Sequence, residues 1–212
     1  QLRDGLELWS NDQADIKALG GEPLEVQRSR WYTAELIEDS FRRIFQATDE
    51  SGISRYVLGL DGLRVGRLPE LPAGLNFDHI KKLSLQNMDQ GDNIASFLKS
   101  FKHVESLELD SNNLSRLPEV LSHMPDLRRL SLADNQIKLT EYTLAKLSYL
   151  RDLQSLNLNG NPLGATPKVS NMFDLRCLAM RDTGATELPL GLARLPSREW
   201  VDLRDHASKV LS

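Results

Sequence analysis

One arrangement of apolar and polar positions recurs along most of the chain. Its clearest copy is Val104, Leu107, Leu109, Asn112, Leu114 and Leu117, followed by Pro118. The next copies are Leu127, Leu130, Leu132, Asn135 and Ile137, then Leu153, Leu156, Leu158, Asn161 and Leu163. Leu175, Leu178, Met180, Thr183, Ala185 and Leu188 continue the series. An earlier copy runs Ile80, Leu83, Leu85 and Met88, and a first, imperfect one runs Leu58, Leu60, Leu63, Val65 and Leu68. A last one, Val201, Leu203 and His206, is cut by the end of the sequence. Copies starting at 80, 104, 127, 153 and 175 are spaced by 24, 23, 26 and 22 residues.

A fixed internal period of roughly 20–29 residues with this leucine template is that of leucine-rich repeats. The alternating Leu-x-Leu of each copy predicts a short strand whose leucines share one face. Successive strands then stack in parallel, because each unit can bury its apolar face only against its neighbours. The asparagine after each strand turns the chain, since its amide can bond backbone groups that the turn leaves unpaired. Asn112, Asn135 and Asn161 fall at matched positions and are expected to form an internal ladder. The remainder of each unit returns along the other side. Ile94, Phe97, Leu98 and Phe101 fall at helical spacing, as do Leu144, Leu147, Tyr149 and Leu150 after Thr140. The shorter returns carry Pro118, Pro125, Pro167, Pro189 and Pro196 and predict single helical turns or extended chain. The expected fold is therefore α/β: a right-handed leucine-rich-repeat solenoid, or horseshoe, with a concave parallel sheet and an N-terminal helical cap.

The first part of the chain lacks the period. Of 39 leucines only six lie in residues 1–54. The segment Trp31 to Phe45 predicts an amphipathic helix with Ala34, Ile37, Phe41, Ile44 and Phe45 on one face. A shorter helix is expected from Asp12 to Leu19, capped at Ser10-Asn11 and stopped by Gly20-Gly21. Solenoids need atypical terminal units to cover their open ends. Residues 1–54 are read as such a cap, and residues 55–212 as about six to seven repeats, the last truncated. The alternative is a helix offered to a partner.

Composition narrows the function. The 212 residues carry 26 Lys+Arg and 30 Asp+Glu, a net charge of −4, which argues against a nucleic-acid-binding role. No apolar run approaches the roughly 18 residues that read as a membrane span. The start at Gln-Leu-Arg-Asp, with no Met and no signal segment, reads as a piece of something longer. A single cysteine, Cys177, excludes a disulfide framework and a cysteine zinc site. His79, His103, His123 and His206 have no metal-ligand spacing, and no nucleophile-elbow or phosphate-loop motif occurs. No metal, cofactor or catalytic constellation is expected in this stretch. Cys177 has no histidine in its own repeat to activate it, so it reads as a plain thiol rather than a nucleophile.

The informative surface is the set of strand residues that face away from the core. In successive repeats these are Lys82, Ser84 and Gln86; Ser106, Glu108 and Asp110; Arg129 and Ser131; Ser155, Asn157 and Asn159; Cys177 and Arg181; and Trp200, Asp202 and Arg204. A concave sheet of this kind is the usual binding face of curved repeat proteins, so a protein partner is expected there. The plain alternative is a solvated sheet. Trp200 beside Arg181 and Arg204 reads either as an interface anchor or as a residue covered by further chain.

The segment Leu-Gly-Leu-Asp-Gly-Leu-Arg-Val-Gly-Arg-Leu-Pro-Glu-Leu-Pro at 58–72, following an acidic amphipathic helix, resembles the entry into the repeats of large bacterial toxin-like effectors. Asn-Phe-Asp-His-Ile at 76–80 and Trp-Val-Asp-Leu-Arg-Asp at 200–205 add to the likeness. Those proteins, common in pseudomonads, join such repeats to a C-terminal NEL-type ubiquitin ligase domain. The resemblance implies a non-enzymatic recognition module whose partner is a host protein or the parent's own ligase domain. It also implies a secreted effector acting in the host cytoplasm; without it, a cytoplasmic protein is expected. The family's nucleophile lies in Cys-x-Asp. Cys177 is followed by Leu178 and Ala179, so no catalytic role is carried onto it.

Overall fold

The structure, a computed structural model, describes residues 1–48, 52–194 and 200–202, except the side chains of Trp200 and Val201. Three helices come first: α1 (Leu2–Ser10), α2 (Gln13–Ala18) and α3 (Pro23–Phe41). Strands β1 (Gln46–Thr48) and β2 (Ser54–Gly59) form an antiparallel hairpin. From there the chain adds β3 (Ile80–Ser84), β4 (Ser106–Glu108), β5 (Arg129–Ser131), β6 (Ser155–Asn157), β7 (Cys177–Ala179) and β8 (Trp200–Asp202). All eight lie in one sheet in chain order, and β2 to β8 run parallel.

The register follows the leucines. Leu58, Leu83, Leu107, Leu130, Leu156 and Leu178 stand opposite one another on successive strands, and all are buried. They form one core with the residues of the returns. One return is the helix α4 (Ile94–Leu98), which buries Ile94, Phe97 and Leu98. A second is α5 (Glu141–Leu147), which begins on a capping box between Thr140 and Thr143. The repeat between them returns through a 3₁₀ turn, Glu119–His123, directly after Pro118. Tyr149 does not join the buried stripe of α5; the helix has ended by then, and the ring is exposed.

Two devices recur past the ends of the strands, the first after β2 to β7 and the second after β3 to β7. First, the residue before the ladder position takes a left-handed backbone: Gly62, Asn87, Ser111, Asp134, Gly160 and Asp182 have φ of 72°, 54°, 55°, 53°, 67° and 54°. Glycine, asparagine and aspartate tolerate that conformation best, and they fill five of the six places. Second, the ladder residue itself is buried. Asn135 Oδ1 accepts from the backbone N–H of Asn112 and Leu114, both at 3.0 Å. Its Nδ2 donates to the carbonyls of Leu109, Leu132 and Ala133. Asn112 reaches back in the same way to Met88 N, Gln90 N and Leu85 O, and Asn161 to Ile137 N and Leu132 O. Thr183 stands at the next position and donates to Met180 O at 2.9 Å. Where the series has Met88 in place of asparagine, Gln90 is buried and its Oε1 accepts from Leu68 N at 3.0 Å.

The cap differs from the helical expectation in five ways. Residues 2–10 form α1, whose Leu2 and Leu6 join the core. The long helix starts at Pro23, eight residues before the expected Trp31, with proline in its first turn where no N–H is needed. It stops at Phe41 because Arg43 turns left-handed, with φ 63°, and its N–H bonds Ser40 O. Ile44 and Phe45 therefore lie beyond the helix and are exposed. The short helix α2 is capped by Asp12, whose side chain accepts from Asp15 N at 3.1 Å, rather than by Ser10-Asn11. Residues 46–48 add a strand, so the unit is not wholly helical.

Arg30 fastens these pieces together. It is fully buried inside α3. Its Nε donates to Val65 O at 2.8 Å, its Nη1 to Trp9 O at 3.0 Å, and its Nη2 pairs with the Asp15 carboxylate. The guanidinium also lies 5.1 Å from the Trp9 ring centroid. One side chain thus touches α1, α2 and the first repeat.

Candidate functional site

The sheet face turned away from the core carries three columns of side chains, because the strands are in register and alternate residues point outward. The first column runs Lys82, Ser106, Arg129, Ser155 and Cys177. The second runs Ser84, Glu108, Ser131, Asn157, Ala179 and Asp202. The third, just past the strands, holds Asp61, Gln86, Asp110, Ala133, Asn159 and Arg181.

These positions are not equally available. Ser84 is buried, its hydroxyl placed 2.7 Å from Asp61 Oδ1 and 3.0 Å from Glu108 Oε2. Glu108 is held further by Lys82 Nζ at 2.8 Å and by Gln86 Nε2 at 2.8 Å. Asp202 is buried as well. Ser84 and Asp202 therefore shape the face and offer little surface for contact. Asn157 Oδ1 accepts from Asn159 N at 3.1 Å, and Asn159 Oδ1 accepts from Arg181 N at 2.6 Å, so both amides brace the face. Ser106, Ser131, Ser155 and Cys177 are half-buried, and Arg129 is exposed with no ion pair among the described residues. Arg181 Nε lies 3.5 Å from the Asp182 carboxylate. Arg204 lies outside the described residues, as does the side chain of Trp200; the strand register sets Trp200 beside Cys177.

Asp110 has a displaced acidity. Burial raises its carboxyl above the usual carboxylate range, and the charges of Glu108 and Asp134 push the same way. Hydrogen bonds from Ser131 and from Ala133 N, the latter at 2.8 Å, oppose them. Asp61 was not in the sequence-derived set. It follows Leu58-x-Leu60 as Gln86 follows Leu83-x-Leu85, and that spacing identifies it. The face is thus acidic over its first repeats, from Asp61, Glu108 and Asp110. Small and neutral residues follow, with Arg129 and Arg181 toward the far half. Among the described residues no group of three or more His, Cys, Asp or Glu is arranged to hold a metal ion. No helix of the described residues is long and apolar enough to cross a membrane.

Residues 78–137 match the leucine rich repeat family. Together with the stacked parallel strands and their asparagine rungs, the match decides the architecture. The fold is a leucine-rich-repeat solenoid. The leucine-rich repeat domain of the type III effector XopL is similar over 86% of this chain and 72% of its own, with a TM-score of 0.53 and 17% identity. YopM, a leucine-rich effector protein from Yersinia pestis, is similar over 94% of this chain and 58% of its own, with a TM-score of 0.50 and 18% identity. At such identities the likeness is one of fold. In sequence, the human volume-regulated anion channel subunit LRRC8A is 25% identical over 153 residues, which is 66% of this chain and 18% of the channel subunit. The leucine-rich-repeat chain thus spans less than a fifth of that relative's length.

Proposed function

We propose that the open sheet is a protein-binding face, and that the chain is the substrate-selecting module of a bacterial effector ubiquitin ligase whose catalytic domain lies elsewhere in a longer protein. The observation that carries the first part is the face itself. It is a polar, in-register sheet of uneven charge with its side chains braced by Asp61, Glu108, Asn157 and Asn159. Braced side chains lose little freedom on binding, which favours a specific partner. The second part is supported by the entry segment at 58–72 and by a fold shared with two bacterial effectors.

The face is tested by blocking it where the scaffold is not involved. Ser155→Arg and Arg129→Glu are expected to leave the melting temperature unchanged and to weaken a partner's binding by about tenfold or more, read by calorimetry. Unchanged affinity would move the site off the sheet. The ligase setting is tested on the parent protein with ubiquitin-charged conjugating enzyme. Transfer to a bound partner is expected, and Ser155→Arg should abolish it while self-modification persists. The likeness to a channel subunit favours a second reading, a binding scaffold with no ligase attached, and a parent inert in that assay would establish it.

A further inference from the structure

We propose that a crevice on the outer, helical side of the solenoid docks an acidic segment of a partner protein, one apolar side chain of which seats between the Glu119–His123 turn and α5. The crevice opens where the array changes its manner of return, from a 3₁₀ turn in one repeat to an α-helix in the next. Its volume is about 230 Å³. That is below the ~300–1,000 Å³ that encloses a drug-sized ligand, and it suits a single side chain.

The floor is apolar: Leu117, Leu121, Leu147 and Leu150 line it, and all four belong to the core. The rim is cationic, with Arg116, Lys138 and Lys146 against the single carboxylate of Glu119. Lys146 Nζ sits 4.5 Å from the centroid of the exposed Tyr142 ring and 3.8 Å from the Glu119 carboxylate. The Tyr142 hydrogen bond raises the Lys146 pKa and Glu119 adds to the rise, so the ammonium is charged at neutral pH. Arg116 Nε is 3.9 Å from the Asp92 carboxylate, while Lys138 has no ion pair among the described residues. An apolar side chain in the pocket would bring its flanking residues to this rim. Carboxylates there meet surplus positive charge, and ammonium groups are repelled. A long acyl chain is excluded by the volume.

The test uses the whole chain with methyl-labelled leucines and three blocked tripeptides as probes. Acetyl-Asp-Phe-Glu-amide is expected to shift the Leu121 and Leu147 methyl resonances saturably. Acetyl-Asp-Ala-Glu-amide and acetyl-Lys-Phe-Lys-amide should not. The pair Lys138→Glu and Lys146→Glu should weaken the first probe by roughly tenfold or more. The milder pair Lys138→Gln and Lys146→Gln keeps the test open if charge reversal unfolds the chain. An equal response to the lysine probe, or no saturable shift with the acidic one, overturns the proposal.

Discussion

Arg30→Ala is expected to destabilise the protein by about 4 kcal/mol, the largest single effect outside the leucine core. The substitution removes the Arg30 donor that serves Val65 O, takes a second donor from Trp9 O, which keeps Asp12 N at 3.3 Å, and leaves a space inside a fully buried site. A buried polar group left without its partner costs about 1–3 kcal/mol, and the cavity adds to this. The ion pair itself contributes less, because the Asp15 side chain is 43% exposed. Arg30→Lys should recover only part of the loss, since an ammonium cannot span three acceptors with the geometry of a guanidinium fork. Urea unfolding of the three forms measures this. A loss below about 1 kcal/mol for the alanine form would mean that the cap is not fastened through this residue.

Asn135→Ala should lower stability by about 3 kcal/mol. The carbonyls it serves are less exposed to the change than the amides. Leu109 O also accepts from Asn112 Nδ2 at 3.1 Å, and Ala133 O from Ser111 N at 2.9 Å. The N–H groups of Asn112 and Leu114 are bound by Asn135 Oδ1, and both would be left buried and unpaired. Asn161→Ala should be milder, because Asn161 Oδ1 accepts from Ile137 N alone among these turn amides. Chemical denaturation of both variants gives the comparison. Equal losses would show that the carbonyl contacts, not the amide acceptors, dominate each rung.

The strand register and the ladder were legible because both recur. A leucine or asparagine at one position carries little information, but five copies spaced by 22–26 residues cannot slip without burying polar groups. The cap had no such redundancy. Leu2 and Leu6 give α1 only two buried leucines in nine residues, too few for a period. Arg30 is invisible to any reading that sends charge to the surface, since its burial depends on carbonyls that are distant in sequence, in residues 9 and 65. The start of α3 was missed for a related reason. Its inner face carries Arg30, Thr33 and Ser40 among Val26 and Ile37, so the apolar stripe is broken by polar residues: Arg30 is satisfied by distant carbonyls, while the buried hydroxyls of Thr33 and Ser40 have no hydrogen-bond partner among the described residues. On the sheet face, alternation identified which residues point outward. It could not show that Ser84 would sink between two carboxylates, which is set by neighbours in adjacent repeats.

The hairpin strand β1 has a consequence for how such an array can vary. A parallel stack left open at its first edge would accept another strand of the same kind, from a further repeat or from another molecule. Here β1 reverses direction, is three residues long and pairs β2 antiparallel, so the growing pattern meets a strand of the wrong polarity. New repeats can be inserted or deleted in the interior, where each neighbour offers the same parallel edge, but not added in front of the hairpin. A change in repeat number within the array would therefore alter the reach of the sheet without altering this amino-terminal hairpin.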